Sequence, residues 1–318
     1  MTQDGSIVVD LLVNVAANII AAFVVGFIAL AILTGYRSRG VRRFFGVASG
    51  GSSIKIFLST IAVNPGGTRG TAEIKEGFHG DAMTELEYKH ALEFAALMRS
   101  GSFSWILTTI FGTRSGADRI LSTIEHSPSF RQNTRVTPGG EVSYDSNAIS
   151  ASLRENTCTI LIGGPIYNLL THHIFRHRPK NADDMRFFEF IRRNDPDGKA
   201  LRGIRALGVY PRDYIRTEGE DHIEDYFVVC RLTVEKKKKV FVCAGTCTAA
   251  TAAAVDQLTD WRKFEKYGTN DFGVLYRIFL PRASTGFESS AQGRESDPDD
   301  ATAMEWVCDF KRKPPKQL

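Results

Sequence analysis

VFVCAGTCTAATAAA, residues 240–254, decides how the rest of the chain is read. Val240 to Ala244 is a short apolar run of the kind that forms a buried strand. It ends in Gly245-Thr246, and from Thr246 to Phe264 the chain turns Ala-rich and helical. A buried strand passing through a glycine turn into a helix is half of a βαβ unit.

The same pattern recurs upstream. Ile54 to Thr60 (IKIFLST) and Thr157 to Ile162 (TCTILI) are two more buried-strand runs, the second closed by Gly163-Gly164-Pro165. Between them, Asp81 opens a helical pattern reaching about Met98, with Met83, Leu86, Phe94 and Leu97 on one stripe. Thr84 and Glu87 have capping-box spacing and Asp81 is an equally good cap, so the helix starts between them. Trp105 to Phe111 reads as a further strand, and a short helix carries Tyr167 to Phe175. Tyr226 to Val234 and Lys239 to Ala244 form a hairpin about Glu235–Lys238. Phe272 to Leu280 and Glu305 to Phe310 are late strands placed to pair. Segments 127–150 and 284–302 are rich in polar and turn-forming residues and are expected to be mobile loops. Strands alternating with helices predict one α/β domain over 54–318, with a mainly parallel sheet and an antiparallel extension.

The N-terminus is different in kind. Leu11 through Tyr36 carries no charged residue. As a helix this stretch spans about 39 Å, against a hydrocarbon core of about 30 Å. A transmembrane helix is therefore expected over 7–36. Asp4 and Asp10 precede it and no Lys or Arg does, which is unlike a signal peptide. Arg37, Arg39, Arg42 and Arg43 follow it, so the positive-inside rule puts the N-terminus outside and the domain in the cytoplasm of a single-pass cell-membrane protein. Residues 37–53 read as a basic juxtamembrane segment and a flexible Gly/Ser linker, GVASGGSS. Asp10, Asn14, Asn18, Ala22 and Gly26 recur at one spacing. Small and amide side chains on a membrane helix favour close helix contact, so self-association into a homo-oligomer is expected; the alternative is that Asn14 and Asn18 meet water at the outer interface.

Composition narrows the rest. With 40 Lys+Arg against 36 Asp+Glu the formal charge is +4, far from the basic domains that bind nucleic acid, and no nucleic-acid partner is expected. Cys158, Cys230, Cys243, Cys247 and Cys308 are odd in number and mostly set in apolar runs, as buried free thiols rather than a disulfide framework. His172, His173 and His177, or Cys243 with Cys247, lack the short regular spacing of zinc ligands, so no metal and no cofactor are expected. His90 falls on the apolar stripe and reads as a core histidine. Lys236 to Lys239 reads as a solvated turn that would touch anionic lipid if it faced the bilayer.

Ligands of an open parallel sheet gather at the carboxyl ends of its strands. The candidate ligand-binding residues are therefore Ser59 and Thr60, then Gly163, Gly164, Pro165 and Asn168, then Gly245 and Thr246, together with Asp81. Glycine lets backbone approach a ligand, and helix N-termini offer N–H groups to anions, so a phosphate or nucleotide suits them. Neither GxGxxG nor GxxxxGK[ST] is present. Glu85 and Glu87 are the candidate catalytic acids.

IKIFLST (54–60), HGDAMTELEYKHALEFAALM (79–98), LIGGPIYN (161–168) and VFVCAGTCTAATAAA (240–254) together resemble Rossmann-like bacterial domains related to nucleoside deoxyribosyltransferases and TIR or SLOG modules. The resemblance covers most of 54–264. It implies a Rossmann-like fold and a nucleotide-like small-molecule ligand, in a group where some members cleave N-glycosidic bonds and several are membrane-spanning bacterial defence effectors. The leading expectation is a membrane-anchored nucleotide sensor that oligomerises on binding. The alternatives are an enzyme cleaving or transferring at an N-glycosidic bond of nucleosides or NAD-like substrates, with Glu85 or Glu87 as nucleophile or base, and a membrane-tethered scaffold.

Overall fold

The computed structural model of the chain describes residues 4–47, 53–59, 61–62, 81–82, 85–100, 121–126, 134–136, 142–144, 153, 158–165, 168–176, 187–194, 200–208, 210–234, 238–281 and 303–312. In chain order it begins with helix α1 (Asp4–Phe45), strands β1 (Ser53–Leu58), β2 (Ile61–Ala62) and β3 (Asp81–Ala82), and helix α2 (Glu85–Ser100). Strands β4 (Leu121–His126), β5 (Thr134–Val136), β6 (Val142–Tyr144) and β7 (Cys158–Ile162) follow, then helix α3 (Leu169–Arg176). Next come β8 (Phe188–Asn194), β9 (Ala200–Ala206), β10 (Arg212–Ile215), β11 (Thr217–Glu218), β12 (His222–Val234) and β13 (Lys238–Gly245). The chain closes with α4 (Thr248–Thr259), a 3-10 helix (Trp261–Tyr267), β14 (Asp271–Pro281) and β15 (Ala303–Arg312).

The fold is mixed α/β. The main sheet runs β15-β14-β12-β13-β7-β1-β4, with β11 on β12. β4, β1, β7 and β13 are mutually parallel, and β12, β14 and β15 extend the sheet by antiparallel pairing. The expected hairpin pairs as anticipated, Val234 opposite Lys238 and Phe227 opposite Gly245. The two late strands pair as well. Successive side chains of each strand point to opposite faces. Ile54, Ile56, Leu58, Phe241 and Cys243 join one core with α2, α4 and the 3-10 helix. Phe57, Leu161, Val240 and Val242 join the other, with α3 and the antiparallel sheet β10-β9-β8.

The foot of α1 belongs to the first of these cores. Val41, Phe44, Phe45 and Val47 are buried in it. Phe45 packs at 4.8 Å from Phe241 and Phe44 at 5.6 Å from Trp261, centroid to centroid. A Cβ on Gly40 would lie 2.6 Å from the Trp261 ring, so only glycine lets the helix approach so near. Residues 37–45, expected to lie in a juxtamembrane segment ahead of a flexible linker, instead continue the helix into the domain. The glycine run begins only after that docking, at Gly46 (φ +70°).

Helix α1 has 42 residues, about 63 Å of rise. Its described side chains run from Val13 to Ala29 and resume at Arg39; Val13, Ile20, Phe23 and Val25 are all more than half exposed. Among the described residues no helix is long and apolar enough to cross a membrane.

Other expectations need correcting. Helix α2 starts at Glu85, directly after Thr84, the later of the two expected caps, while Asp81 pairs with Ala62 in the β2–β3 ladder. Segment 127–150 is not wholly loop, since Thr134–Val136 and Val142–Tyr144 form a short hairpin. The strand beside β1 is Leu121–His126. The strand expected at Trp105–Phe111 and the loop at 284–302 lie outside the described residues.

Candidate functional site

The chain leaves β1 for β4 on one side and then crosses to β7 on the other. The strand order reverses there, and in open α/β sheets ligand crevices lie outside the strand ends at such a point. Ser59 follows β1 and Gly163 follows β7. Gly163 has φ +112°, and a Cβ on it would lie 2.7 Å from the Cβ and Oγ of Ser59. The two strand ends are therefore in direct contact. Gly163 N–H also donates to the Cys243 carbonyl at 2.9 Å.

Asn168 fastens this junction. Its Nδ2 donates to the carbonyls of Phe57 (3.2 Å) and Ile162 (3.0 Å), one from each strand, and its Oδ1 accepts from Thr171 N–H (3.1 Å). A single buried amide thus satisfies two strand-end carbonyls and caps α3. The Ser59 hydroxyl donates to the Glu87 carboxylate, and both residues are buried. Of the two candidate acids, then, Glu87 is locked beneath the strand ends; the side chain of Glu85 lies outside the described residues.

A cavity of about 530 Å³ opens beside the junction, between the ends of β7 and β13 and the small sheet. Gly164, Pro165, Gly245 and Thr246 line one wall. The other is formed by His172 and Phe175 of α3 and by residues of β8 and β9, among them Phe190, Arg192, Arg202 and Arg205. Phe175 and Phe190 meet edge to face at 5.7 Å. His172 Nδ1 sits 3.2 Å from the Pro165 carbonyl, which fixes the turn after β7. Gly245 is glycine for a reason other than ligand approach: a Cβ there would lie 2.5 Å from Thr251 N, so it lets α4 start directly behind the strand.

Behind the Thr246 wall sits Asp225, fully buried. It accepts from the Thr246 hydroxyl and from Tyr226 N–H (2.7 Å), and Arg216 Nη1 is 3.8 Å from its Oδ2. Burial pushes its carboxyl above the usual range, against the opposing pull of Cys247, Arg216 and Arg202. A buried acid one residue behind a cavity wall is the arrangement in which functional groups are found.

Four candidate residues therefore share the cavity: Gly164, Pro165, Gly245 and Thr246. Ser59, Gly163, Glu87 and Asn168 form the adjoining junction and do not line it. Thr60 lies outside the described residues, and of Asp81 only the backbone is described. The arginines of β8 and β9, Phe190 and Asp225 were not anticipated; for β8 the short Phe-Glu-Phe alternation at 188–190 was the available signal. His90 is the core histidine expected, buried and 2.6 Å from Asp256 where α2 meets α4. With Glu93 these two bring donor atoms within 4.8 Å of one another. The exposed lie of Glu93 and the close His90–Asp256 contact make the group an interhelical pair.

Comparison of the chain with protein-family models, with curated proteins and with solved structures finds no match.

Proposed function

We propose that the chain is a single-pass membrane protein whose cytoplasmic, Rossmann-like domain binds a nucleotide-like small molecule and clusters through its N-terminal helix in response. The observation that carries this is the cavity: the ends of β7 and β13 and the small sheet enclose a space of ligand size, lined by the rings of Phe175 and Phe190, by three arginines and by one acid, Glu189.

The helix supports the anchor. Its uncharged run, Leu11 to Tyr36, lies within one continuous helix that leaves Val13, Ile20, Phe23, Val25 and Ile28 exposed. It docks at the amino ends of the parallel strands, where Gly46 meets Lys239, whereas the cavity opens at their carboxyl ends. With the helix in a bilayer, Arg39, Arg42, Arg43, Lys238 and Lys239 face the anionic leaflet and the cavity faces the cytoplasm. Asn14 and Asn18 stand exposed on the helix, available to a second copy. Ligand acts only through a difference in affinity between the assembly states.

The test is calorimetry with a nucleotide panel on the full chain in lipid nanodiscs. A fragment starting after the glycine run would lack Phe44 and Phe45 and so part of its core. Binding with a micromolar or tighter Kd is expected; absence of heat across the panel defeats the proposal.

A second reading, N-glycosidic cleavage or transfer, draws on the buried Glu87 carboxylate held by Ser59 where the strand order reverses. Incubation with NAD and nucleosides followed by chromatography decides it. Turnover that disappears in Glu87→Gln supports the enzyme, and no turnover leaves the sensor.

A further inference from the structure

Arg192 and Arg202 are direct partners across the β8–β9 ladder. Like charges set opposite one another in an antiparallel pair destabilise it, so such a pair needs a reason. Their surroundings supply one. Alternation puts Phe188, Phe190 and Arg192 on one face of the small sheet, with Ala206, Ile204 and Arg202 opposite them. Phe188, Ile204 and Ala206 are buried against the main sheet. The two arginines therefore project from the inward face, where the small sheet overhangs the strand ends, and both line the cavity.

The outward face shows the contrast. Arg205, set on that face although it also borders the cavity, donates to both oxygens of Asp213, at 2.6 and 3.0 Å, and lies 4.0 Å from Glu189. Asp225, on which Arg202 acts, already has Arg216 at 3.8 Å and the Thr246 hydroxyl, and Glu189, which borders the same cavity, is the acid beside Arg205. Among the described residues neither guanidinium of the inner pair has a hydrogen bond or an ion pair within 4 Å; Arg202 acts on Asp225 only from farther off. Arg205 is thus matched by close acids, whereas Arg192 and Arg202 face one another with no close acid pairing either.

We propose that Arg192 and Arg202 are a phosphate-binding pair at the mouth of the cavity, taking the phosphate of a phosphorylated small molecule whose ring rests on Phe190 and Phe175. This rests on the cavity being the ligand site and deepens that reading by naming the charged half of the ligand. Guanidinium forks match phosphate oxygens two at a time, and a dianion between the two arginines removes the repulsion they carry when empty. Binding should therefore also tighten the β8–β9 ladder.

The experiment titrates inorganic pyrophosphate, adenosine phosphates and adenosine into the full chain in nanodiscs, comparing the parent with Arg192→Gln/Arg202→Gln. Adenosine phosphates are expected to bind the parent about 100-fold more tightly than the double variant, with steep salt dependence, while adenosine distinguishes the two by less than about twofold. Single Arg192→Gln is expected to melt no lower than the parent, since it removes a like-charge neighbour. If the double variant fails to fold, Arg192→Lys/Arg202→Lys keeps the charge without the fork and is expected to lose about tenfold. Equal binding of adenosine phosphates to parent and variant overturns the pair and leaves the nucleotide site standing. Pyrophosphate binding that needs the pair, with no gain from a nucleoside, upholds the pair and removes the nucleotide. No binding of any phosphate compound overturns both.

Discussion

The guanidinium of Arg231, fully buried in the main sheet, lies 5.1 Å from the ring centroid of Phe44 in the last turn of α1. Phe272 covers it from 4.9 Å, and it donates to the carbonyls of Gly268 and Asn270. Burial pulls its pKa down to about 10, with Asp271 opposing, so it remains a cation at neutral pH. An aromatic face is a favourable neighbour for a desolvated cation. The long helix is thus fastened to the domain by its own last turn, and a change in the helix's orientation has to move the domain with it.

Phe44→Ala is accordingly expected to cost about 3–5 kcal/mol, the range for removing a buried aromatic ring. Urea unfolding of the full chain in nanodiscs measures it, followed by tryptophan fluorescence because Trp261 packs on Phe44. A loss below about 1 kcal/mol would mean that the helix foot is not part of the core.

How much of this was legible beforehand depended on where each signal lies. The hairpin of β12 and β13 and the strand-to-helix passage at 240–254 are local, and period and turn chemistry reveal them. Leu121–His126 (LSTIEH) is an edge strand with only two apolar residues, Leu121 and Ile124, in neither an alternating pattern nor an apolar run, so nothing in it stands out. Phe44 and Phe45 follow a cluster of arginines and read as membrane-proximal. Only their contacts with Phe241, Trp261 and Phe272, some two hundred residues away, make them core. The pairing of Arg192 with Arg202 is a matter of register, and a one-residue slip would separate them. Gly164, Pro165, Gly245 and Thr246 were legible because strand ends in a parallel sheet share an edge; the wall facing them comes from the small sheet, whose position no local pattern encodes.

The contact of Gly163 with Ser59 leaves no room for a side chain, and φ +112° suits only glycine. Gly163→Ala is expected to destabilise by about 1–3 kcal/mol. Adding Ser59→Gly relieves the clash but not the backbone strain. A double-mutant cycle should therefore return a favourable coupling of about 0.5–2 kcal/mol. Strict additivity in thermal or urea unfolding would show that the strand ends do not touch.

Asn168 makes its three hydrogen bonds through both ends of one amide. Asn168→Ala removes a helix cap and leaves two buried carbonyls without their donor, together about 2–4 kcal/mol. Asn168→Asp separates these roles, because aspartate keeps the cap acceptor but places a charge against the Phe57 and Ile162 carbonyls. It is expected to be no more stable than the alanine variant at pH 7. Recovery of parent stability by aspartate would assign Asn168 to capping alone.

Asp225 makes a prediction in pH. Its carboxyl is raised by burial above the ordinary 3.8, in spite of Arg216, Cys247 and Arg202, so the folded chain holds this proton to higher pH than the unfolded chain does. Stability falls with pH wherever the folded state binds more protons. The contribution of this group is therefore complete below the unfolded value, declines through the window above it, and is gone once pH passes the raised folded value. Asp225→Asn keeps the oxygen that accepts from Tyr226 N–H and the Thr246 hydroxyl but cannot ionise. Measured by urea unfolding at pH 4 and pH 7, the variant is expected to gain on the parent at the higher pH; the difference of differences cancels the other carboxylates, which both proteins share. Because Thr246 lines the cavity, the same substitution should leave ligand affinity less dependent on pH. A variant that falls further behind the parent at pH 7 than at pH 4 would mean that Asp225 works as a charge, held ionised by Arg216, rather than as a buried acid.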